Sequence, residues 1–128
     1  MTLDGATILI LEDEPIVGLA LEDMLSLQGA SVLHASRIEE ACELIAQEQV
    51  DSAVLDVNVH GTLSYSVAQL LAEREIPFIF ATGYGDRSHP EQFADVPTVA
   101  KPYSADDVRK ALLTRANCAG SGDSSIPG

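Results

Sequence analysis

Apolar and polar positions follow one another along the chain in blocks that predict strands and helices in turn. Five short apolar runs are typical of strands buried on both faces of a parallel sheet, and they occupy residues 7–12, 31–35, 51–56, 77–82 and 97–101. The segments between them have apolar residues at helical spacing. These residues are Ile16, Ala20, Met24 and Leu27 in the first segment, Ile38, Ala41, Cys42 and Ile45 in the second, Val67, Leu70 and Leu71 in the third, and Val108, Ala111 and Leu112 in the last.

The alternation of strands and helices predicts an α/β fold, because right-handed βαβ crossovers cover both faces of a parallel sheet with helices. Five such units most economically form a doubly wound five-stranded parallel sheet of order 2-1-3-4-5, the flavodoxin-like arrangement. Pro15 is a suitable first residue for the first helix, and Gly29 is a suitable stop. Gly85 and Pro90 interrupt residues 83–96, where we expect a short or irregular helix.

Length and composition fit one globular domain. The chain has 128 residues, of which 46% are hydrophobic and 21% are charged, and this size accommodates a single core. We expect residues 1–5 to be an N-terminal extension and residues 6–116 to be the folded domain. Residues 117–128 are rich in glycine and serine without an apolar period, so we expect a flexible tail there.

Charge and hydropathy exclude two classes of partner. Twenty acidic and seven basic residues give a formal net charge of −13, which repels a nucleic-acid backbone, so we expect no direct nucleic-acid binding. No apolar run reaches the roughly 18 residues that a membrane span needs. We therefore expect a cytoplasmic protein that does not insert into a membrane.

Acidic side chains stand at the ends of two strands that are neighbours in the predicted sheet. Glu12 and Asp13 end the first strand, and Asp56 ends the third, so the strand order brings them together at the switch point. Three carboxylates this close repel one another, and a hard divalent cation with oxygen ligands relieves the repulsion. Mg²⁺ is the natural candidate, because it leaves coordination positions free for a phosphoryl oxygen.

Two further polar residues end the remaining strands at the same edge of the sheet. Thr82 ends the fourth strand and Lys101 ends the fifth. A hydroxyl and an ammonium group beside a metal can hold the oxygens of a transferring phosphoryl group. Asp56 is the best-placed nucleophile, since carboxylates form labile acyl phosphates when a metal screens their charge. The residues therefore predict phosphoryl transfer to Asp56.

The same residues resemble the receiver domain of two-component response regulators, over roughly residues 6–116. The matching features are the acid pair after strand 1, the aspartate at the end of strand 3, the threonine at the end of strand 4 and Lys-Pro at the end of strand 5. The stretches DVNVHG, PFIFATGYG and VAKPY are similar to those of one subgroup, the FATGUY receivers. Receivers of this subgroup tend to work with sensor kinases as single-domain proteins.

The resemblance implies a role for each of these residues. Asp56 would accept a phosphoryl group from a sensor histidine kinase, and Thr82 and Lys101 would bind the phosphoryl oxygens. The domain would assist its own phosphorylation and dephosphorylation without being an enzyme in its own right. The implied ligands of Mg²⁺ are Glu12, Asp13, Asp56 and the backbone carbonyl of Asn58.

The output of such a domain stays open. Phosphorylation would change binding to a downstream protein partner, or the domain would be only a phosphate shuttle or sink for a kinase. Most receivers carry an aromatic switch residue three positions before the lysine, where this chain has Thr98. An unphosphorylated pseudo-receiver is disfavoured, because all five chemical positions are present. A phosphohydrolase of the haloacid dehalogenase type is disfavoured as well, because it needs an acid two residues after the nucleophile, where this chain has Asn58.

Overall fold

The computed structural model describes residues 3–82, 90–100 and 106–114. The strands in these residues are β1 (Thr7–Leu11), β2 (Ser31–Ala35), β3 (Ser52–Asp56), β4 (Asn58–Val59), β5 (Thr62–Leu63), β6 (Phe78–Thr82) and β7 (Thr98–Ala100). The helices are α1 (Pro15–Leu27), α2 (Ile38–Gln47) and α3 (Tyr65–Glu73), a 3₁₀ turn at Glu91–Phe93, and a helical segment at 106–114 that we call α4.

The five predicted strands pair in parallel in the spatial order β2-β1-β3-β6-β7. Counted without the short strands β4 and β5, which form a separate two-stranded sheet, this is the order 2-1-3-4-5. The prediction of a doubly wound flavodoxin-like sheet is therefore confirmed. The switch point lies between β1 and β3, where the carboxyl ends of both strands meet.

Alternate residues of the central strands face opposite sides of the sheet, and each side has its own apolar cluster. One cluster joins β1, β3 and β6 to α2 and α3, and it includes Leu9, Leu11, Leu55, Phe78, Phe80, Ile45 and Leu71. The other joins the same strands to α1 and α4, and it includes Ile8, Ile10, Val54, Ile79, Leu21, Leu25, Val108 and Leu112. Burial on both faces explains why these strands read as continuous apolar runs.

Helix α1 corrects one part of the prediction. The helix begins at Pro15 as expected, and Gly29 follows its end with φ at +89°. Its buried residues are Gly18, Leu21 and Leu25, whereas Ile16 and Leu27, which belong to the predicted apolar face, are 83% and 89% exposed. Apolar residues surround this helix almost completely, so two faces both satisfy the helical period.

Among the described residues, the rings of Tyr65, Phe78, Phe80 and Phe93 pack together on the α2–α3 side of the sheet. The Phe93 ring stacks on that of Tyr65, with the two ring centroids 5.8 Å apart. It makes edge-to-face contacts with the rings of Phe78 and Phe80, at centroid distances of 6.0 and 5.9 Å. Edge-to-face contacts of this kind stabilise by about 1 kcal/mol beyond area burial. The 3₁₀ turn that carries Phe93 lies within the stretch where we predicted a short or irregular helix; residues 83–89 of that stretch lie outside the described residues.

None of the helices within residues 3–82, 90–100 and 106–114 combines the length and the hydropathy needed to cross a bilayer.

Candidate functional site

The three predicted acidic residues meet at the carboxyl ends of β1 and β3. Leu11 pairs with Leu55, so the residues that follow them, Glu12 and Asp56, lie at the same level of the sheet. Glu12, Asp13 and Asp56 each contribute one carboxylate oxygen to a group whose members all lie within 4.8 Å of one another. Glu12 is only 2% exposed and Asp56 only 7%. The cluster is therefore a recessed group of oxygen ligands and not a solvated turn.

Glu12 is held by hydrogen bonds from its main chain and its side chain. Its N–H donates to the carbonyl of Ala35 at 3.0 Å, and its own carbonyl accepts from Nε2 of His34 at 3.1 Å. The N–H of Glu14 donates to Oε2 of the Glu12 carboxylate at 3.1 Å. Strand β2 and the start of α1 thus fix the position from which this carboxylate enters the site.

Asp13 is held by a hairpin that the sequence did not predict. Strands β4 and β5 pair antiparallel, and the two-residue loop between them is His60-Gly61. The φ angles of these residues are +52° and +83°, as a type I′ turn requires. The N–H of His60 donates to Oδ2 of Asp13 at 2.9 Å. The only sequence signal for this turn is Gly61, a glycine at the second position of a two-residue link between two short stretches that contain apolar residues.

The electrostatics of Asp13 favour the ionised form. Partial burial raises the pKa of its carboxyl, but four other interactions lower it by more, so the pKa lies below its usual range. These interactions are the hydrogen bond from the His60 backbone, a backbone hydrogen bond within Asp13, the electrostatic effect of the nearby His60 ring and a hydrogen bond with Glu12. Nδ1 of His60 lies 4.0 Å from Oδ2 of Asp13, with the His60 side chain 58% exposed. A charged carboxylate is the form that binds a hard cation.

The other predicted site residues stand around this cluster. Thr82 ends β6 and is 6% exposed, one residue beyond Ala81, which pairs with Asp56. Asn58 follows β3 by two residues, and its side-chain oxygen accepts from the N–H of Gly61 at 2.9 Å, so this side chain supports the hairpin turn. Lys101 lies outside the described residues. It follows Ala100, which pairs with Thr82 in the sheet.

The residues present fit a hard divalent cation. Mg²⁺ prefers oxygen ligands and usually takes one or two carboxylates from a protein, and three carboxylates converge here. Without a cation these carboxylates repel one another inside a recess where water screens them poorly. The arrangement is thus able to hold a metal ion beside Asp56, and Glu12, Asp13 and Asp56 are the candidate ligands.

Comparison with known families agrees with this geometry. The family model of the response regulator receiver domain matches residues 8–113. The chain belongs to the family of response regulator receiver domains. The prediction of the family from strand-end residues is confirmed, and assignment to the FATGUY subgroup stays a prediction. As a receiver domain, the chain takes part in signalling that works by phosphorylation.

Individual relatives fall into two groups by length. The solution structure of SdrG from Sphingomonas melonis Fr1 is 36% identical with a TM-score of 0.77, over 91% of this chain and 99% of that one. A probable transcriptional regulator, ycf27 of Guillardia theta, is 33% identical over 86% of this chain and 46% of its own length. The phosphate regulon transcriptional regulatory protein PhoB of Pseudomonas aeruginosa is 28% identical over 96% of this chain and 57% of its own length. The chain spans about half the length of these curated relatives.

Proposed function

We propose that Asp56 accepts a phosphoryl group from the phosphohistidine of a sensor histidine kinase in a reaction that needs Mg²⁺, and that phosphorylation changes the affinity of the domain for a protein partner. One observation carries this proposal. The Asp56 carboxylate, 7% exposed at the end of β3, has one oxygen within 4.8 Å of one oxygen from each of two further carboxylates, and those two oxygens are equally close to each other.

The transfer is a displacement at phosphorus. An oxygen of the Asp56 carboxylate forms a bond to the phosphorus atom while the P–N bond of phosphohistidine breaks. The electron pair of that bond goes to the ring nitrogen, and imidazole leaves in its neutral form when its other nitrogen carries a proton. The product is an acyl phosphate, which water later hydrolyses to restore the carboxylate.

The remaining residues bind and orient the groups that react. Glu12, Asp13, Asp56 and the backbone carbonyl of Asn58 would hold Mg²⁺, which offsets the negative charge that gathers as carboxylate and phosphoryl group meet. Thr82 would donate its hydroxyl hydrogen to a phosphoryl oxygen, and Lys101 would place its ammonium group against another. The domain is not an enzyme with a separate substrate, because the group that it transfers ends on its own side chain.

An exposed apolar stripe on α1 supports a protein as the partner. Ile16, Leu19 and Leu27 are 83%, 58% and 89% exposed, and their spacing of three and eight residues places them along one side of the helix, which also carries the exposed Asp23 between Leu19 and Leu27. Apolar side chains grouped on one surface are typical of protein interfaces. The helix begins directly after Glu14, so a partner on this stripe would also be close to the acidic cluster.

The domain is proposed to act alone in the cytoplasm and without direct contact to nucleic acid. SdrG, a solved receiver of nearly the same extent, supports the single-domain part, and the net charge of −13 opposes contact with DNA. ycf27 and PhoB, which are named as transcriptional regulators, are about twice as long as the matched region. A role in transcription is therefore not carried over to this chain.

Transfer from a radiolabelled histidine kinase tests this proposal. We expect the label to move from the kinase to the wild-type domain with Mg²⁺, and to stay on the kinase with EDTA or with Asp56→Asn. Lys101→Ala is expected to retain Mg²⁺ binding but to accept less label, with the exposed Lys110→Ala as its matched control. Labelling of Asp56→Asn at the wild-type rate would overturn the proposal. Rapid release of all label as inorganic phosphate, with no change in partner binding, would identify a phosphate sink instead.

A further inference from the structure

We propose that His34 is a positioning residue for the metal ligands: its imidazole ring anchors the peptide group between Glu12 and Asp13, and so sets the direction of both carboxylates. This inference rests on the proposed function, since it assumes that the acidic cluster binds Mg²⁺. His34 lies on β2 and pairs with Ile10 of the neighbouring strand β1. Ile10 precedes Glu12 by two residues, so the His34 ring has to reach along β1 to contact Glu12.

The contact requires a hydrogen on Nε2 of the ring. Nε2 of His34 lies 3.1 Å from the main-chain oxygen of Glu12. A carbonyl oxygen accepts hydrogen bonds and never donates them, so Nε2 carries the hydrogen. Replacement of the ring by a group without a donor would leave this partly buried carbonyl without the His34 bond.

The carbonyl of Glu12 belongs to the peptide plane that joins Glu12 to Asp13. Because a peptide group is planar, holding its oxygen restricts ψ of Glu12 and φ of Asp13 together. The N–H of Glu12 is already tied to the carbonyl of Ala35 at 3.0 Å. Strand β2 therefore holds both ends of the Glu12 main chain, and loss of the His34 contact would allow the two carboxylates to turn away from Asp56.

Gly18 of α1 makes room for the imidazole ring. A Cβ atom at this position would overlap the ring of His34 and lie only 2.5 Å from its Nε2. A glycine inside a helix is less favourable than alanine, so a residue with a side chain would favour the helix itself. The space occupied by His34 accounts for the glycine, and it gives a second way to displace the ring without altering its chemistry.

The test is a calorimetric titration of the full chain with Mg²⁺, together with unfolding midpoints measured in EDTA. The variants are His34→Leu, which removes the donor, and His34→Gln, whose amide nitrogen can replace Nε2. Loss of a residue that supports a metal ligand typically costs roughly 10- to 100-fold in metal affinity. We expect His34→Leu to raise the Kd for Mg²⁺ by about tenfold, and His34→Gln to restore most of the affinity.

Gly18→Ala provides an independent arm. The added methyl group is expected to push the ring off Glu12 and to raise the Kd about as much as His34→Leu does. Once the ring is gone, in His34→Ala, the further change Gly18→Ala should cost no more affinity. Ser26→Ala, at an exposed position of the same helix, is the matched control and should leave the Kd unchanged.

The outcomes separate this inference from the proposed function. If the wild-type chain binds no Mg²⁺, the proposed function itself is wrong. If the wild-type chain binds Mg²⁺ but His34→Leu has the same Kd, or His34→Gln is as impaired as His34→Leu, the inference is overturned. A lower unfolding midpoint in EDTA with an unchanged Kd would likewise reduce His34 to a residue of the fold. Should His34→Leu fail to fold, Gly18→Ala replaces it as the variant with a displaced ring. An unchanged Kd in Gly18→Ala, or a Kd in His34→Gln as high as in Gly18→Ala, would then overturn the inference.

Discussion

The backbone N–H of His60 donates a hydrogen bond to Oδ2 of Asp13 at 2.9 Å, although the two residues are 47 positions apart in the sequence. This bond ties the β4–β5 hairpin, which follows the strand of Asp56, to the loop that follows β1. The hydrogen bond comes from the backbone of His60, whereas Nδ1 of its exposed ring lies 4.0 Å from Oδ2 of Asp13. The backbone conformation of the turn is therefore what places the donor.

A first prediction concerns this turn. His60 has a φ of +52°, a conformation that histidine tolerates better than most residues and that is roughly 1–2 kcal/mol less favourable for a β-branched side chain. We expect His60→Val to lower the free energy of unfolding by about 1–2 kcal/mol and to weaken Mg²⁺ binding. Asparagine is favoured before glycine in type I′ turns, so His60→Asn should preserve both. Equal behaviour of the two variants in urea unfolding and calorimetry would contradict this account.

A second prediction concerns repulsion in the acidic cluster. Unit charges about 4 Å apart repel by roughly 1 kcal/mol even in water, so Asp56→Asn should stabilise the metal-free domain by about that amount. The corresponding rise in Tm is about 4 °C for a domain of this size. Mg²⁺ should raise the Tm of the wild type and have much less effect on the variant.

Asp51→Asn is the matched control for this measurement. Asp51 precedes β3 at its opposite end and accepts a hydrogen bond from the N–H of Thr7 at 2.8 Å, which an asparagine oxygen can also accept. If differential scanning calorimetry in EDTA gives both variants the same change in Tm, repulsion within the cluster is not the cause.

A third prediction concerns the ring of Phe93. This side chain is 3% exposed and contacts the rings of Tyr65, Phe78 and Phe80. Phe93→Ala should therefore lower the free energy of unfolding by about 3–5 kcal/mol, as loss of a buried aromatic ring usually does. Leu63→Ala removes a side chain that is 53% exposed and should cost about 0.5 kcal/mol or less. Similar costs in chemical denaturation would show that the ring cluster adds little to stability.

A fourth prediction concerns the Cys42 thiol. Burial raises its pKa, and the carboxylate of Glu39 raises it further. Because the thiolate is the reactive form, iodoacetamide at pH 8 should alkylate Cys42 several-fold more slowly than it alkylates glutathione. Mass spectrometry on Cys118→Ser, which leaves Cys42 as the single thiol, measures this rate. A rate equal to that of glutathione in the folded protein would rule out the protection; equality is expected only in denaturant.

The sequence predicted the sheet and the acidic cluster because both depend on simple rules. Strands buried on both faces leave apolar runs, and sites in such sheets lie at the carboxyl ends of strands. These two rules are enough to place Glu12, Asp13 and Asp56 together from the sequence alone.

Other features have no comparable signal. The strands of the β4–β5 hairpin have two residues each, too few to display alternation, and His-Gly is not among the strong turn pairs. The contact between His34 and Glu12 joins a ring to a main-chain oxygen 22 residues away, and no sequence pattern predicts such a hydrogen bond. In α1 the apolar period fitted two faces, and only packing against the sheet selected Leu21 and Leu25.

The most direct test of the central claim is intact-mass spectrometry after incubation with phosphoramidate, a small donor that carries a P–N bond. The protein is incubated with Mg²⁺ or with EDTA, and the samples are the wild type, Asp56→Asn and the control Asp51→Asn. We predict one phosphoryl adduct in the wild type and in Asp51→Asn with Mg²⁺, and no adduct in EDTA or in Asp56→Asn. An equally abundant adduct in Asp56→Asn, or no adduct in any sample even with a cognate kinase, would contradict the assignment of Asp56 as phosphoacceptor.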